Sequence, residues 1–139
     1  MSINPNVAMG FGYALDAKDP ALLNKMKDLF SDFAENFTDA EDNLTDPAFL
    51  SELQHLPDFR QRYKVLDFGV IESMQESPDQ VIVYRIGSVK KLYAKYDGAI
   101  TPGVIRPADL TYQEDGFEDF AKDFGISSKP QQMIWSYWS

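Results

Sequence analysis

His55 is the only imidazole in the chain, and it stands between Leu53 and Leu56 just ahead of Pro57. A general base or metal ligand is one role for such a residue. The simpler role, and the expected one, is a partial charge that suits the C-terminal end of a helix dipole. Asp39, Glu41, Asp42, Asn43 and Asp46 form the densest set of oxygen ligands. A calcium loop of the EF-hand type needs glycine at its sixth position and a bidentate glutamate at its twelfth. Counted from Asp39, those positions are Leu44 and Leu50, so no metal site is assigned. Glu114 and Asp115 could share proton-transfer work, but adjacent acids ahead of a helix are also favourable caps. There is no Gly-x-Ser-x-Gly, no Walker loop and no dinucleotide fingerprint. A single histidine far from any distinctive serine offers no triad. No catalytic residue and no cofactor is assigned.

Two further clusters carry chemistry of a different kind. Arg85, Lys90, Lys91 and Lys95 are interleaved with Tyr84, Tyr93 and Tyr96, the basic–aromatic mixture found in single-strand nucleic-acid binders. A net charge of −9 opposes direct nucleic-acid binding, and long basic side chains also serve to cover a sheet face and guard its edges. Trp135, Tyr137 and Trp138 close the sequence and must be docked somewhere, since an exposed aromatic cluster is a sticky patch. Packing into the protein's own core satisfies that need. So does docking on another subunit, where Trp and Tyr dominate binding energy. These three are the candidate assembly contacts.

The acids are unevenly placed. Residues 16–58 hold eleven acids and three bases, and residues 59–106 hold five acids and eight bases. Asp28, Asp32, Glu35 and Asp39 recur at helical spacing and project within about 60° of one another on a continuous helix. Successive carboxylates then stand ~5–6 Å apart, a row on the scale of a phosphate backbone. Like charges four residues apart cost a helix a few tenths of a kcal/mol, and acids near its C-terminus oppose the dipole. Such a row is therefore worse for the helix than a lysine at 32 or 35 would be. The row keeps the protein soluble in the simplest account. In the sharper one, Asp28, Asp32, Glu35 and Asp39, with Glu41 and Asp42, meet a Lys- and Arg-rich protein surface of the kind that holds nucleic acid.

The elements that must position these residues follow from composition and periodicity. The 139 residues are 44% hydrophobic and 14% aromatic, enough for one domain with a substantial core. Without cysteine there is no disulfide or thiol chemistry, and a cytoplasmic location is expected. No apolar run approaches the ~18 residues of a membrane span, and the N-terminus lacks the regions of a signal peptide. Residues 1–18 read as an irregular arm. Phe11, Tyr13 and Leu15 allow a short strand there, but Gly10 and Gly12 weaken it.

Asp19-Pro20 starts a first helix over about 19–37, with Leu22, Leu23, Met26, Leu29, Phe30, Phe33 and Phe37 on one face. Asp46-Pro47 starts a second, carrying Phe49, Leu50, Leu53 and Leu56. Residues 63–71 form a strand with a bulge at Gly69. Residues 80–86 and 89–96 form a hairpin about Gly87-Ser88, aligning Val83 with Leu92. Val89, Leu92, Tyr93 and Tyr96 also fit a helix capped by Ser88, and the flanking turn dipeptides favour the strand. Ala99–Ile105 is an edge strand or extended loop. Asp115–Glu118 reads as a capping box for a third helix ended by Gly125. The expected fold is a single α+β domain: two N-terminal helices, an antiparallel sheet of three to four strands over about 63–105, a short helix and an aromatic tail.

Three functions fit this outline. The first is a small acidic interaction protein that binds a basic partner and inhibits or adapts it. The second is a subunit of a homo-oligomer. The third is a ligand-binding or enzymatic domain with a pocket between sheet and helices.

Overall fold

The computed structural model describes residues 5–72, 78–92 and 115–138. Among these residues the fold is mixed α and β, with a five-stranded antiparallel sheet covered on one face by helices. The strands are β1 (Pro5–Asp16), β2 (Leu66–Glu72), β3 (Pro78–Arg85), β4 (Lys90–Leu92) and β5 (Gln131–Trp138). The helices are α1 (Pro20–Leu29), α2 (Ser31–Ala34), α3 (Ala48–Leu53), α4 (Asp58–Arg62) and α5 (Glu118–Phe124).

The N-terminal arm is the centre of the sheet. β1 pairs with β5 along one edge from Pro5 to Gly12. Along its other edge it pairs with β4 at Val7–Met9 and with β3 at Gly12–Asp16. Phe11 and Tyr13 are buried, and they point into the helical layer against Phe117, with ring centroids 6.1 and 5.5 Å away. The alternation of aromatics is the strand signal that Gly10 and Gly12 masked. Gly12 is needed because an ideal Cβ there would lie 1.9 Å from the Val83 carbonyl oxygen.

Gly87-Ser88 is not a hairpin turn. β3 and β4 run in the same direction on the same edge of β1, so β4 continues β3. Between them Ile86–Ser88 forms one 3₁₀ turn, and the register with β1 slips by three residues: Gly12 faces Tyr84, whereas Met9 faces Lys90. Ser88 Oγ accepts the Phe11 N–H at 2.9 Å and donates to the Arg85 carbonyl at 2.8 Å, filling the gap in the ladder. Lys90–Leu92 is strand rather than the helix that Ser88 could have capped. Residues 93–114, including the expected strand at Ala99–Ile105, lie outside the described residues. Gly69 pairs in register with Ile82, and the bulge falls instead between Ile71 and Glu72.

The first helix starts as its residues imply. Asp19 caps it by accepting the Ala21 N–H at 3.0 Å, and Pro20 opens its first turn. It does not run to residue 37. Phe30 leaves helical geometry at φ −122°, ψ 47°, and the chain resumes as α2 and a 3₁₀ turn at Glu35–Phe37. The break divides the apolar stripe between two targets. Phe30 reaches Phe59 at 6.3 Å, while Phe33 and Phe37 pack on Phe49 at 5.9 and 5.7 Å. Phe59, fully buried on α4, also meets Tyr63, Phe68 and Phe120, which makes this short helix a centre of the core. α5 ends at Gly125 in the left-handed region (φ 64°), the C-terminal signal its sequence carries. At its start, however, Phe117 is the cap position, and Glu118 folds back to accept the Gly116 N–H instead of forming the full capping box.

The C-terminal tail is strand β5. Trp135 crosses the sheet face away from the helices, where Gly10 leaves it room: a Cβ on Gly10 would meet the indole at 2.9 Å. Its ring stacks on Tyr84 of β3 at 5.5 Å and 28°.

Candidate functional site

The break at Phe30 redistributes the acidic row. Asp28 stands in the last turn of α1, Asp32 in the first turn of α2, Glu35 on the 3₁₀ turn and Asp39 in the following loop. One straight helical face no longer holds them, but all six acids from Asp28 to Asp42 are exposed. Two of the six have structural duties. Asp39 accepts the backbone N–H groups of Glu41 and Asn43, each at 2.9 Å, and the Asn43 bond foremost holds its carboxyl below the ordinary range. Asp42 adopts φ 63°, a conformation unusual outside glycine. Lys27 secures it, donating to its carbonyl at 2.9 Å and pairing with its carboxylate at 3.6 Å. These contacts fix a tight loop that presents Glu41. Asp28, Asp32, Glu35 and Glu41 have no cationic partner among the described residues.

The segment that carries these acids is anchored from behind. Leu22, Met26, Phe30, Ala34 and Phe37 are all buried, so the outward carboxylates ride on a fixed inner face.

His55 is exposed in the turn after α3, with its backbone N–H bonded to the Glu52 carbonyl. Asp115 lies in the turn before α5, and its carbonyl accepts from Arg85. Glu114, Tyr93, Lys95 and Tyr96 lie outside the described residues. Among the described residues no group of three or more His, Asp or Glu side chains converges on a metal-sized point. No helix among them is long and apolar enough to cross a membrane.

Of the assembly candidates, Trp135 is partly buried against the sheet, so intramolecular packing uses much of its ring. Tyr137 and Trp138 pair at the backbone with Asn6 and Pro5, and their side chains lie outside the described part of the chain. Among the described side chains of β5 the exposed apolar residue is Ile134, at 68% accessibility, which the sequence pattern did not single out.

The basic–aromatic cluster is partly assembled by the fold. Tyr84, Lys90 and Lys91 line one hollow of about 430 Å³ together with Arg60, Ile86 and Val89. A contiguous hollow of about 170 Å³ adds Trp135 and Gln54. Arg60 and Trp135 lie far from Tyr84 in sequence, so no local spacing could have joined them. These hollows lie on the Tyr84–Trp135 face of the sheet rather than between sheet and helices.

A different cluster ties α4 to α5. Tyr63 donates to Asp123 at 2.6 Å, and Arg62 reaches both at 3.3 Å. Burial foremost pushes the Tyr63 hydroxyl above its ordinary range, while the bond from Tyr63 foremost lowers the Asp123 carboxyl. The cluster is a clamp between helices.

Compared with family models, curated proteins and solved structures, the chain matches none.

Proposed function

We propose that this is an acidic interaction protein that docks on a basic protein surface and inhibits or adapts its partner. The observation that carries the proposal is the set Asp28, Asp32, Glu35 and Glu41: exposed, without cationic partners among the described residues, and mounted on a segment whose opposite side is buried. Solubility alone does not require carboxylates on an anchored scaffold. Electrostatic docking benefits from one, because fixed charges do not lose conformational freedom on binding. A partner surface that otherwise holds nucleic acid has the required Lys and Arg density.

Affinity capture from the native host, with wild type and Asp32→Lys/Glu35→Lys at low and at moderate salt, tests this. A basic protein retained by wild type at low salt, weakened by moderate salt and lost by the double variant is the expected outcome. Equal capture by both proteins contradicts it.

A second reading, a homo-oligomer, is favoured by β5. Its eight residues, Gln131–Trp138, contain no charge and no proline, and among the described residues it pairs only with β1. Natural edge strands usually carry charges, prolines or bulges that prevent pairing between chains. The lack of them suits antiparallel pairing of β5 with its copy in a second subunit.

A further inference from the structure

The loop that presents Glu41 also forms one wall of a hollow of about 290 Å³. The sides are apolar: Ala17 after β1, Leu23 on α1, Leu44 and Pro47 on the loop, and Phe49 and Leu50 on α3. Lys18, Thr45 and Asp46 stand at the rim, all three exposed. Sites for whole small molecules run from about 300 to 1,000 Å³, so this one suits a single large apolar side chain better.

Backbone bonds around the hollow hold its walls in place. The Phe37 carbonyl accepts the Thr45 and Asp46 N–H groups at 3.1 and 3.4 Å, and Thr38 and Leu44 form a β-bridge. Lys27, one turn on from Leu23 along α1, pins the same loop through Asp42. Phe49 and Leu50 are buried in the core behind it. A socket already formed costs a partner little reorganisation. At the rim Lys18 is matched by Asp79 at 3.6 Å. Asp46 accepts the Ala48 N–H at 2.9 Å through one carboxylate oxygen and has no cationic partner among the described residues. Glu41, which also lacks one, stands five residues before it on the loop.

We propose that this hollow is the socket for one apolar side chain of the basic partner, a side chain flanked by lysine or arginine. This rests on the docking reading above and names the partner's anchor. The apolar group fills the space between Leu23, Leu44 and Leu50, and the neighbouring cations meet Asp46 and Glu41. Charge brings such a partner in quickly, but interfaces concentrate their affinity in an anchor buried in a pocket with a polar rim. A basic surface without a protruding apolar residue therefore binds more weakly than one that has it.

Titration of the full chain with three blocked pentapeptides at low ionic strength, followed by amide NMR shifts, tests it. One peptide has leucine between two pairs of lysines, the second has serine in place of the leucine, and the third keeps the leucine between pairs of glutamates. The leucine–lysine peptide should saturate at millimolar concentration and shift the amides of Leu44, Thr45 and Leu50. The serine peptide should bind about fivefold or more weakly, and the glutamate peptide not at all. Leu44→Ser should remove the preference for leucine over serine. Asp46→Asn, whose side-chain oxygen can still accept the Ala48 N–H, should weaken both lysine peptides and keep that preference. Circular dichroism melts establish that each variant is folded. Equal binding of the leucine and serine peptides overturns the socket and leaves electrostatic docking standing. No saturable binding of the leucine–lysine peptide also overturns the socket, and the capture experiment then judges docking by itself. If capture fails while the leucine preference holds, the docking reading falls and the socket stands.

Discussion

Ser88 and Phe11, 77 residues apart in sequence, are joined by a hydrogen bond in which the Ser88 hydroxyl accepts the Phe11 amide at 2.9 Å. A side-chain oxygen thereby stands where a neighbouring strand's carbonyl would normally complete the β1 ladder. The site is buried, with Ser88 3% exposed. Ser88→Ala removes a buried hydrogen bond to the Phe11 amide and one to the Arg85 carbonyl, and should cost about 1–3 kcal/mol. Gly87 beside it has open space around its Cβ position and no positive φ, so Gly87→Val should be nearly neutral. Urea melts of the two variants check both. A damaging Gly87→Val with a harmless Ser88→Ala would restore a hairpin at this point.

Gly12 and Gly10 separate two reasons for glycine in a central strand. At Gly12 a Cβ would strike the Val83 backbone, which cannot retreat without breaking the β1–β3 ladder. Gly12→Ala should therefore destabilise by about 3 kcal/mol or more. At Gly10 the obstacle is the Trp135 indole, a side chain that can shift. Gly10→Ala should cost less and should change Trp135 fluorescence, whereas Gly12→Ala acts mainly on the melting temperature.

The Tyr63–Asp123 bond predicts an acid-dependent stability. The folded-state Asp123 carboxyl is held below its ordinary range, by Tyr63 first and Arg62 after it. Its contribution is thus fully present above the ordinary carboxylate value near about 4 and is lost as pH falls through the lower folded value. Asp123→Asn should lower the melting temperature at neutral pH, and the gap to wild type should close on acidification. A gap that persists unchanged into strong acid would show that the ionised carboxylate is not what joins α4 to α5.

Ile134 is the place to disturb assembly through β5. It is 68% exposed, so Ile134→Lys should alter stability by no more than about 0.5 kcal/mol. If β5 pairs with its copy, light scattering should show a dimer for wild type and a monomer for the variant at the same concentration. Identical masses with unchanged circular dichroism would remove β5 as the interface.

What was legible in the residues was local. The Asp19-Pro20 start, the left-handed Gly125 and the apolar face of Leu22, Met26 and Phe30 each act within a turn or two of chain, and each appears in the structure. The features that escaped depend on contacts distant in sequence. β1 looked weak because its glycines were judged by strand propensity, whereas they answer to Val83 and Trp135 across the sheet. Gly87-Ser88 has the composition of a hairpin turn, but β1 offers β3 and β4 one continuous edge, and a three-residue slip uses the same dipeptide. The helix over 19–37 kept its apolar period through Phe30. It breaks there because Phe59 and Phe49 draw its aromatics to different places. In the candidate site, the outward placement of Asp28, Asp32 and Glu35 was readable from helical spacing. The loop duties of Asp39 and Asp42 were not, since they follow from an Asn43 amide and from Lys27.

The central claim is that Asp28, Asp32, Glu35 and Glu41 form a docking surface for a basic protein. The most direct test is the association of the captured partner with wild type and with Asp32→Lys/Glu35→Lys, followed at low and at moderate ionic strength. Asp32 lies in the first turn of a four-residue helix and Glu35 follows that helix, both exposed, so the double variant should stay within about 1 kcal/mol of wild-type stability. The account predicts a wild-type association rate that falls steeply with salt, and at least about tenfold weaker binding by the double variant. Equal affinity of the two proteins, with rates indifferent to salt, would contradict it and leave the acids as a solvated surface.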